Sequence, residues 1–70
     1  MLRQVVESSS LRSIGYDRAT ATLEVEFTNG GVYRYNGVPT ELWSAFRQAD
    51  SKGKFFQDRV RDHFATTRVS

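Results

Sequence analysis

The stretch Ser51-Lys52-Gly53-Lys54 places two ammonium groups beside a glycine and a hydroxyl, a composition suited to contact with anions. If a helix begins at Ser51, its free backbone N–H groups and its dipole would strengthen the attraction for negative charge. The spacing is not that of a nucleotide-binding P-loop, which needs a longer glycine-rich run before its lysine. Solvated lysines at a turn between two helices are the simpler alternative.

Positive charge is concentrated in the last nineteen residues of the chain. The whole chain has a net charge of +2, whereas residues 52–70 hold five basic and two acidic side chains, or +3. Because phosphates attract such a surface, we expect an anionic partner, with RNA as the candidate. The residues expected to contact phosphates are Lys52, Lys54, Arg59, Arg61 and Arg34. The alternative is an ordinary solvated helix face.

Two tyrosines raise a second possibility for nucleic-acid chemistry. Tyr33 and Tyr35 flank Arg34, just before the turn residues Asn36 and Gly37. Rings that project outward could stack on bases, whereas rings that project inward would belong to the core. The choice depends on how the strands pair.

Catalysis and metal binding have little support in the sequence. His63 is the single histidine, there is no cysteine, and no Gly-x-Ser-x-Gly motif occurs. Glu24 and Glu26, the nearest carboxylate pair, lie on one strand and are expected to face solvent. We therefore predict that the chain is not an enzyme and that it holds no metal or cofactor.

The pattern of apolar residues predicts one α+β domain: a three-stranded antiparallel β-meander followed by two α-helices packed on one face. The strands are expected within residues 8–17, at 20–27 and at 32–36, and the alternation of apolar and polar side chains is clearest over 20–27. The first helix should begin at Pro39 or Thr40. The second should carry Phe56, Val60 and Phe64 on one face, before a frayed or extended tail over residues 65–70.

The length of the turn between the second and third strands fixes which way the tyrosines point. A two-residue turn would place Tyr33 and Tyr35 beside Glu24 and Glu26. A three-residue turn over residues 28–30 pairs Val25 with Tyr33 and Leu23 with Tyr35, on the side that the helices cover. We favour the three-residue turn, because burial of a large aromatic ring contributes about 1.5–3 kcal/mol. Arg34 then faces solvent near the two glutamates.

Several short motifs, in this order and spacing, resemble the KTSC domain family. They are Ser9-Ser10, Ile14-Gly15-Tyr16, residues 23–27, Tyr33-x-Tyr35, Val38-Pro39, Ala49-x-Ser51-Lys52-Gly53, Phe55-Phe56 and Val60-Arg61. The similarity covers about residues 8–64 of a single domain spanning 1–70. Two mild departures are Gln57, where asparagine is expected, and Val60, where isoleucine is common.

The resemblance implies a small domain found at the C-terminus of some lysyl-tRNA synthetases and as stand-alone bacterial and phage proteins. It implies no known catalytic activity, and by association with a tRNA synthetase it suggests RNA binding. The other expectation is a protein-interaction module in which Trp43 and Arg34 anchor a partner or a second copy. We expect a soluble cytoplasmic domain, because no apolar run reaches membrane-spanning length.

Overall fold

The structure, a computed structural model that describes residues 2–70, is a five-stranded antiparallel sheet with two helices on one face. The strands follow one another across the sheet in chain order. They are β1 (Arg3–Val5), β2 (Leu11–Asp17), β3 (Thr22–Phe27), β4 (Val32–Asn36) and β5 (Ala65–Arg68). The predicted α+β class is confirmed, and the predicted three strands are the central three of five.

The turn between β3 and β4 has the predicted three-residue form. Leu23 pairs with Tyr35 and Val25 pairs with Tyr33. Gly30 adopts a φ of +95°, the left-handed conformation that this turn requires and that glycine adopts without strain. The two tyrosines therefore share the helix-covered face of the sheet with Leu23 and Val25.

The prediction of three strands was wrong at the two edges of the sheet. β1 pairs with β2, and β5 pairs with β4 over residues 65–68, where the sequence indicated only a frayed or extended tail. Every residue of both edge strands is exposed. Neither strand has a buried face, so neither shows the alternation of apolar and polar residues that predicts a strand.

The first helix, α1 (Thr40–Gln48), begins directly after Pro39, as expected. The second helix, α2 (Lys52–Phe55), begins at the Ser51 cap, whose hydroxyl accepts a hydrogen bond from the Lys54 amide at 3.2 Å. It continues as a π-helical turn over Phe56–Val60. Within residues 2–70, neither helix is long and apolar enough to cross a bilayer.

The prediction that the second helix reaches Phe64 was wrong. The helical segment ends at Val60, where the Arg61 amide donates to the Phe56 carbonyl at 2.8 Å, a bond that spans five residues. Asp62 then takes a left-handed φ of +64° and reverses the chain toward β5. Phe64 contacts the core from this turn and not from a helix.

The core lies between the helices and one face of the sheet. Phe46 of α1 is fully buried and stacks on Phe55 of α2, with ring centroids 5.1 Å apart. Trp43 stacks on Tyr16 of β2 at 5.4 Å, and the Tyr16 hydroxyl donates to the Val38 carbonyl. The side chains below 2 % exposure are Leu11, Ile14, Leu23, Val25, Val38, Phe46 and Val60.

The opposite face of the sheet is held by ion pairs. Glu24 is buried and lies between two arginines, with Arg34 Nε at 2.9 Å and Arg3 Nε at 3.3 Å from its carboxylate oxygens. Glu26 accepts from the Ser13 hydroxyl at 2.9 Å and lies 3.8 Å from Arg12 Nη1. The prediction that Arg34 lies near these glutamates is confirmed. The prediction that Glu24 faces solvent was wrong, because Glu24 is buried.

Replacing Gly15 with alanine should displace β1 from the sheet. A Cβ at Gly15 would lie 2.6 Å from the Leu2 carbonyl oxygen and 2.8 Å from Arg3 Cγ, so β1 could not keep its position. We expect a loss of about 1–3 kcal/mol, the usual cost of overpacking. Hydrogen exchange should show faster exchange of the β1–β2 amides, with the β3–β4 amides protected as before. Unchanged β1–β2 protection would contradict the expected displacement.

Candidate functional site

The Ser51-Lys52-Gly53 motif forms a structural junction between α1, α2 and the loop before β2. A Cβ at Gly53 would lie only 3.0 Å from Ser10 Oγ and 3.3 Å from Ser8 Oγ, so glycine allows the helix to approach this loop. Lys52 is half-buried, and its ammonium group donates to the Ala49 carbonyl at the end of α1. Lys52, one of the predicted phosphate contacts, therefore satisfies a helix terminus and is not fully exposed.

Three of the predicted cations do lie exposed on one segment. Lys54, Arg59 and Arg61, which we call the C-terminal cationic segment, occupy α2, the π-helical turn and the residue after it. The Arg59 guanidinium lies 5.5 Å from the Phe55 ring centroid. Arg61 Nη1 donates to Gln57 Oε1 at 2.9 Å, and Arg61 Nε lies 4.0 Å from an oxygen of the exposed Asp62.

Arg34 does not join these three cations. It lies on the face of the sheet that the helices leave uncovered, where it pairs with Glu24. The sheet and the core lie between this face and the helical layer that holds Lys54 and Arg59. The five predicted phosphate contacts therefore do not form one surface.

The other motif residues mainly support the fold. Val38 is fully buried, and the Pro39 carbonyl accepts from the Leu42 and Trp43 amides at the start of α1. Phe55 packs between the Phe46 ring and Arg59. The same motif set also contains Tyr33, Tyr35 and Phe56, which form part of a cavity.

A groove opens on the helix-covered face where the π-helical turn lies above β3, β4 and β5. It has a volume of about 490 Å³ and apolar walls formed by Phe27, Tyr33, Tyr35 and Phe56. Its polar residues are Ser10, Gln57, Arg61, Asp62 and Thr66. We call this cavity the aromatic groove, and its size is within the range usual for small-molecule sites.

The rings of the aromatic groove hold one another in edge-to-face contacts. Phe56 lies 5.3 Å from Phe27 and 5.5 Å from Tyr35, and Phe27 lies 5.6 Å from Tyr33. Tyr35 is 5 % exposed, whereas Tyr33 is half-buried. The Arg68 guanidinium lies over the Tyr33 ring, 5.6 Å from its centroid. The tyrosines thus point inward as predicted, yet they also line an open cavity.

The hydroxyls of Tyr33 and Tyr35 make no hydrogen bond within residues 2–70. In the same residues, no fully buried side-chain polar atom lacks a hydrogen-bonding partner. Burial raises the pKa of Tyr35, the neighbouring Tyr33 and Asp62 raise it further, and Arg61 lowers it. The Tyr35 hydroxyl therefore stays protonated at neutral pH and can donate as well as accept.

The sequence did not reveal the aromatic groove. Thr66 reaches the groove only because β5 pairs with β4, and Asp62 reaches it only because the helical segment ends at Val60. Tyr33 and Tyr35 are the residues that could have indicated it, but their spacing predicts only whether a ring faces the core or the solvent and does not predict a cavity between the two.

The titratable residues do not form a metal-binding cluster in the described part of the chain. His63 is exposed in the turn before β5. Within residues 2–70, no group of three or more histidine, aspartate and glutamate side chains is placed to hold a metal ion.

These features define a small α+β domain whose helices cover one sheet face and leave a groove at its side. The chain belongs to the KTSC domain family, whose model matches residues 7–64. The crystal structure of a KTSC domain protein from Yersinia pestis is 39 % identical and superposes with a TM-score of 0.96, covering 99 % of this chain and 97 % of that one. The resemblance predicted from the short motifs is confirmed.

Similar sequences occur both alone and within larger proteins. An uncharacterized protein of Stutzerimonas stutzeri is 52 % identical over 70 residues and covers 99 % of each chain. A lysine–tRNA ligase of Nostoc punctiforme is 33 % identical over 64 residues, which are 91 % of this chain but 11 % of the ligase. The similarity thus concerns a small part of that ligase.

Proposed function

We propose that this KTSC domain is a non-catalytic binding domain that holds single-stranded RNA through phosphate contacts. The observation that carries the proposal is the C-terminal cationic segment, in which three exposed cations lie within eight residues. Within residues 2–70, its one acidic contact is between Arg61 and Asp62 at 4.0 Å. Such weakly paired cations are available to phosphates.

The relatives support an RNA partner. Lysine–tRNA ligases are named for a tRNA substrate, and three of them contain a segment 31–33 % identical to this chain. A domain attached to such a ligase could add phosphate contacts without taking part in the ligase reaction. The exposed position of His63, the single histidine, supports binding over catalysis.

Charge reversal of Lys54 and Arg59 should weaken RNA binding and reduce its dependence on salt. For three phosphate contacts on a single strand, the logarithm of the binding constant should fall with the logarithm of the salt concentration with a slope of about −2. Loss of two contacts should reduce this slope to about −0.7. The measurement is a fluorescence-anisotropy titration of a labelled single-stranded RNA at several salt concentrations. Both residues are exposed, so the Lys54→Glu/Arg59→Glu variant should stay folded.

The matched control is Arg18→Glu/Arg47→Glu, which removes the same charge from exposed sites outside the C-terminal cationic segment. This control should keep the wild-type slope. An equal loss of RNA affinity in both variants would show that the RNA responds only to the net charge of the protein. If the wild type does not bind RNA even at low salt, RNA is not the partner.

A protein partner is the second candidate, and edge strand β1 favours it. Leu2 and Val5 are 95 % and 82 % exposed, and they lie beside the unpaired edge of the sheet. Such an edge can accept a strand from another chain. Trp43 is buried against Tyr16 and Arg34 is paired with Glu24, so the expected protein anchors offer less support. Pairing at β1 would be insensitive to the Lys54 and Arg59 reversal.

A further inference from the structure

We propose that the aromatic groove binds one unpaired nucleobase of the RNA held by the C-terminal cationic segment. This inference rests on the proposed function and adds a second kind of contact to it. Arg61 connects the two sites, because it belongs to the C-terminal cationic segment and also lines the aromatic groove. A phosphate at Arg61 would place its own nucleotide beside the groove.

The walls of the groove suit a flat aromatic ring. Tyr33 enters the groove from the sheet, and Phe56 enters it from the π-helical turn. A volume of about 490 Å³ is large enough for a purine or a pyrimidine. Stacking on aromatic side chains is how many proteins hold single-stranded bases.

The polar groups of the groove suit the edge of a base better than an apolar side chain. The Tyr33 and Tyr35 hydroxyls have no hydrogen-bonding partner within residues 2–70, and Ser10 and Thr66 add hydroxyls. An aliphatic side chain from a peptide would cover these groups without pairing them, which is costly. A base brings donors and acceptors on its own edge.

The charge at the groove also favours a nucleotide. Arg61 lines the groove, and the Arg68 guanidinium lies 5.6 Å from the ring centroid of Tyr33, which also lines it. Asp62 is the single acidic residue among the lining residues. Two guanidinium groups beside an aromatic wall attract a phosphate that carries a base.

The test compares two oligonucleotides with the same phosphates, one with adenine bases and one built from abasic units. Stacking of one base predicts about 5- to 100-fold tighter binding of the adenine oligonucleotide by the wild type. Tyr33→Leu should remove most of this difference while leaving abasic binding unchanged. Tyr33 is half-buried, so the variant should fold.

The control variant is Phe55→Leu, which alters another half-buried ring outside the aromatic groove. It should keep the wild-type preference for bases. Equal affinity of the wild type for the two oligonucleotides would overturn the base site while leaving the phosphate proposal intact. Failure to bind either would overturn both, and an equal effect of Phe55→Leu and Tyr33→Leu would also contradict the base site.

Discussion

Tyr35→Ala should unfold a large fraction of the protein at moderate temperature. Tyr35 is 5 % exposed, pairs with Leu23 across the sheet and packs edge-to-face on Phe56. Loss of a buried aromatic ring costs about 3–5 kcal/mol, and a domain of this size has about 4–10 kcal/mol in total. Thermal unfolding followed by circular dichroism should show a midpoint lower by at least about 12 °C.

Two matched variants isolate the cause of this loss. Tyr35→Phe should change stability by less than about 0.5 kcal/mol, because within residues 2–70 the hydroxyl has no hydrogen-bonding partner to lose. Tyr33→Ala should cost less, about 1–2 kcal/mol, since its ring is half-buried. A Tyr35→Ala protein as stable as the wild type would show that this ring contributes nothing to the core.

Phe46→Ala should have a similarly large effect, but through the helices. Phe46 has no exposed surface, and its ring stacks on Phe55, so it joins α1 to α2. We expect a loss of about 3–5 kcal/mol from the cavity that remains. Urea unfolding measures the loss, and hydrogen exchange should show weaker protection of the α2 and π-helical amides.

Phe46→Leu is the matched control, because leucine keeps most of the volume and should cost less than about 1.5 kcal/mol. The difference between the two variants then measures the filled space and not the aromatic stack alone. Similar losses in both would indicate that the ring stack, and not the filled volume, stabilises the helix pair.

The part of the fold that the sequence predicted is the part with a buried face. Leu23, Val25 and the tyrosines alternate with polar residues, and burial of one face selects a single register. β1 and β5 have no buried residue, so their pairing depends on the backbone and on ion pairs such as Arg3–Glu24. The pattern of apolar and polar residues in the sequence therefore does not predict these two strands.

The sequence predicts the candidate site only in part. Charge can be counted along a sequence, so the cations at Lys54, Arg59 and Arg61 are evident from it. The partial burial of Lys52 and the separation of Arg34 from these cations are not, because each depends on a contact that only the folded chain makes. The aromatic groove depends on the end of the helical segment at Val60, and the apolar spacing of Phe56, Val60 and Phe64 predicted a longer helix.

The position of both helices between β4 and β5 has a consequence for the order of folding. Asn36 pairs with Ala65 across a loop formed by residues 37–64, whereas β3 and β4 are joined by a turn of three residues. Closing the longer loop costs about 2 kcal/mol more in chain entropy. β5 therefore docks after the β2–β3–β4 meander has formed, and as an exposed edge strand it can detach when the native state opens locally. Since Thr66 lines the aromatic groove, that opening changes the groove wall while the core beneath it stays folded.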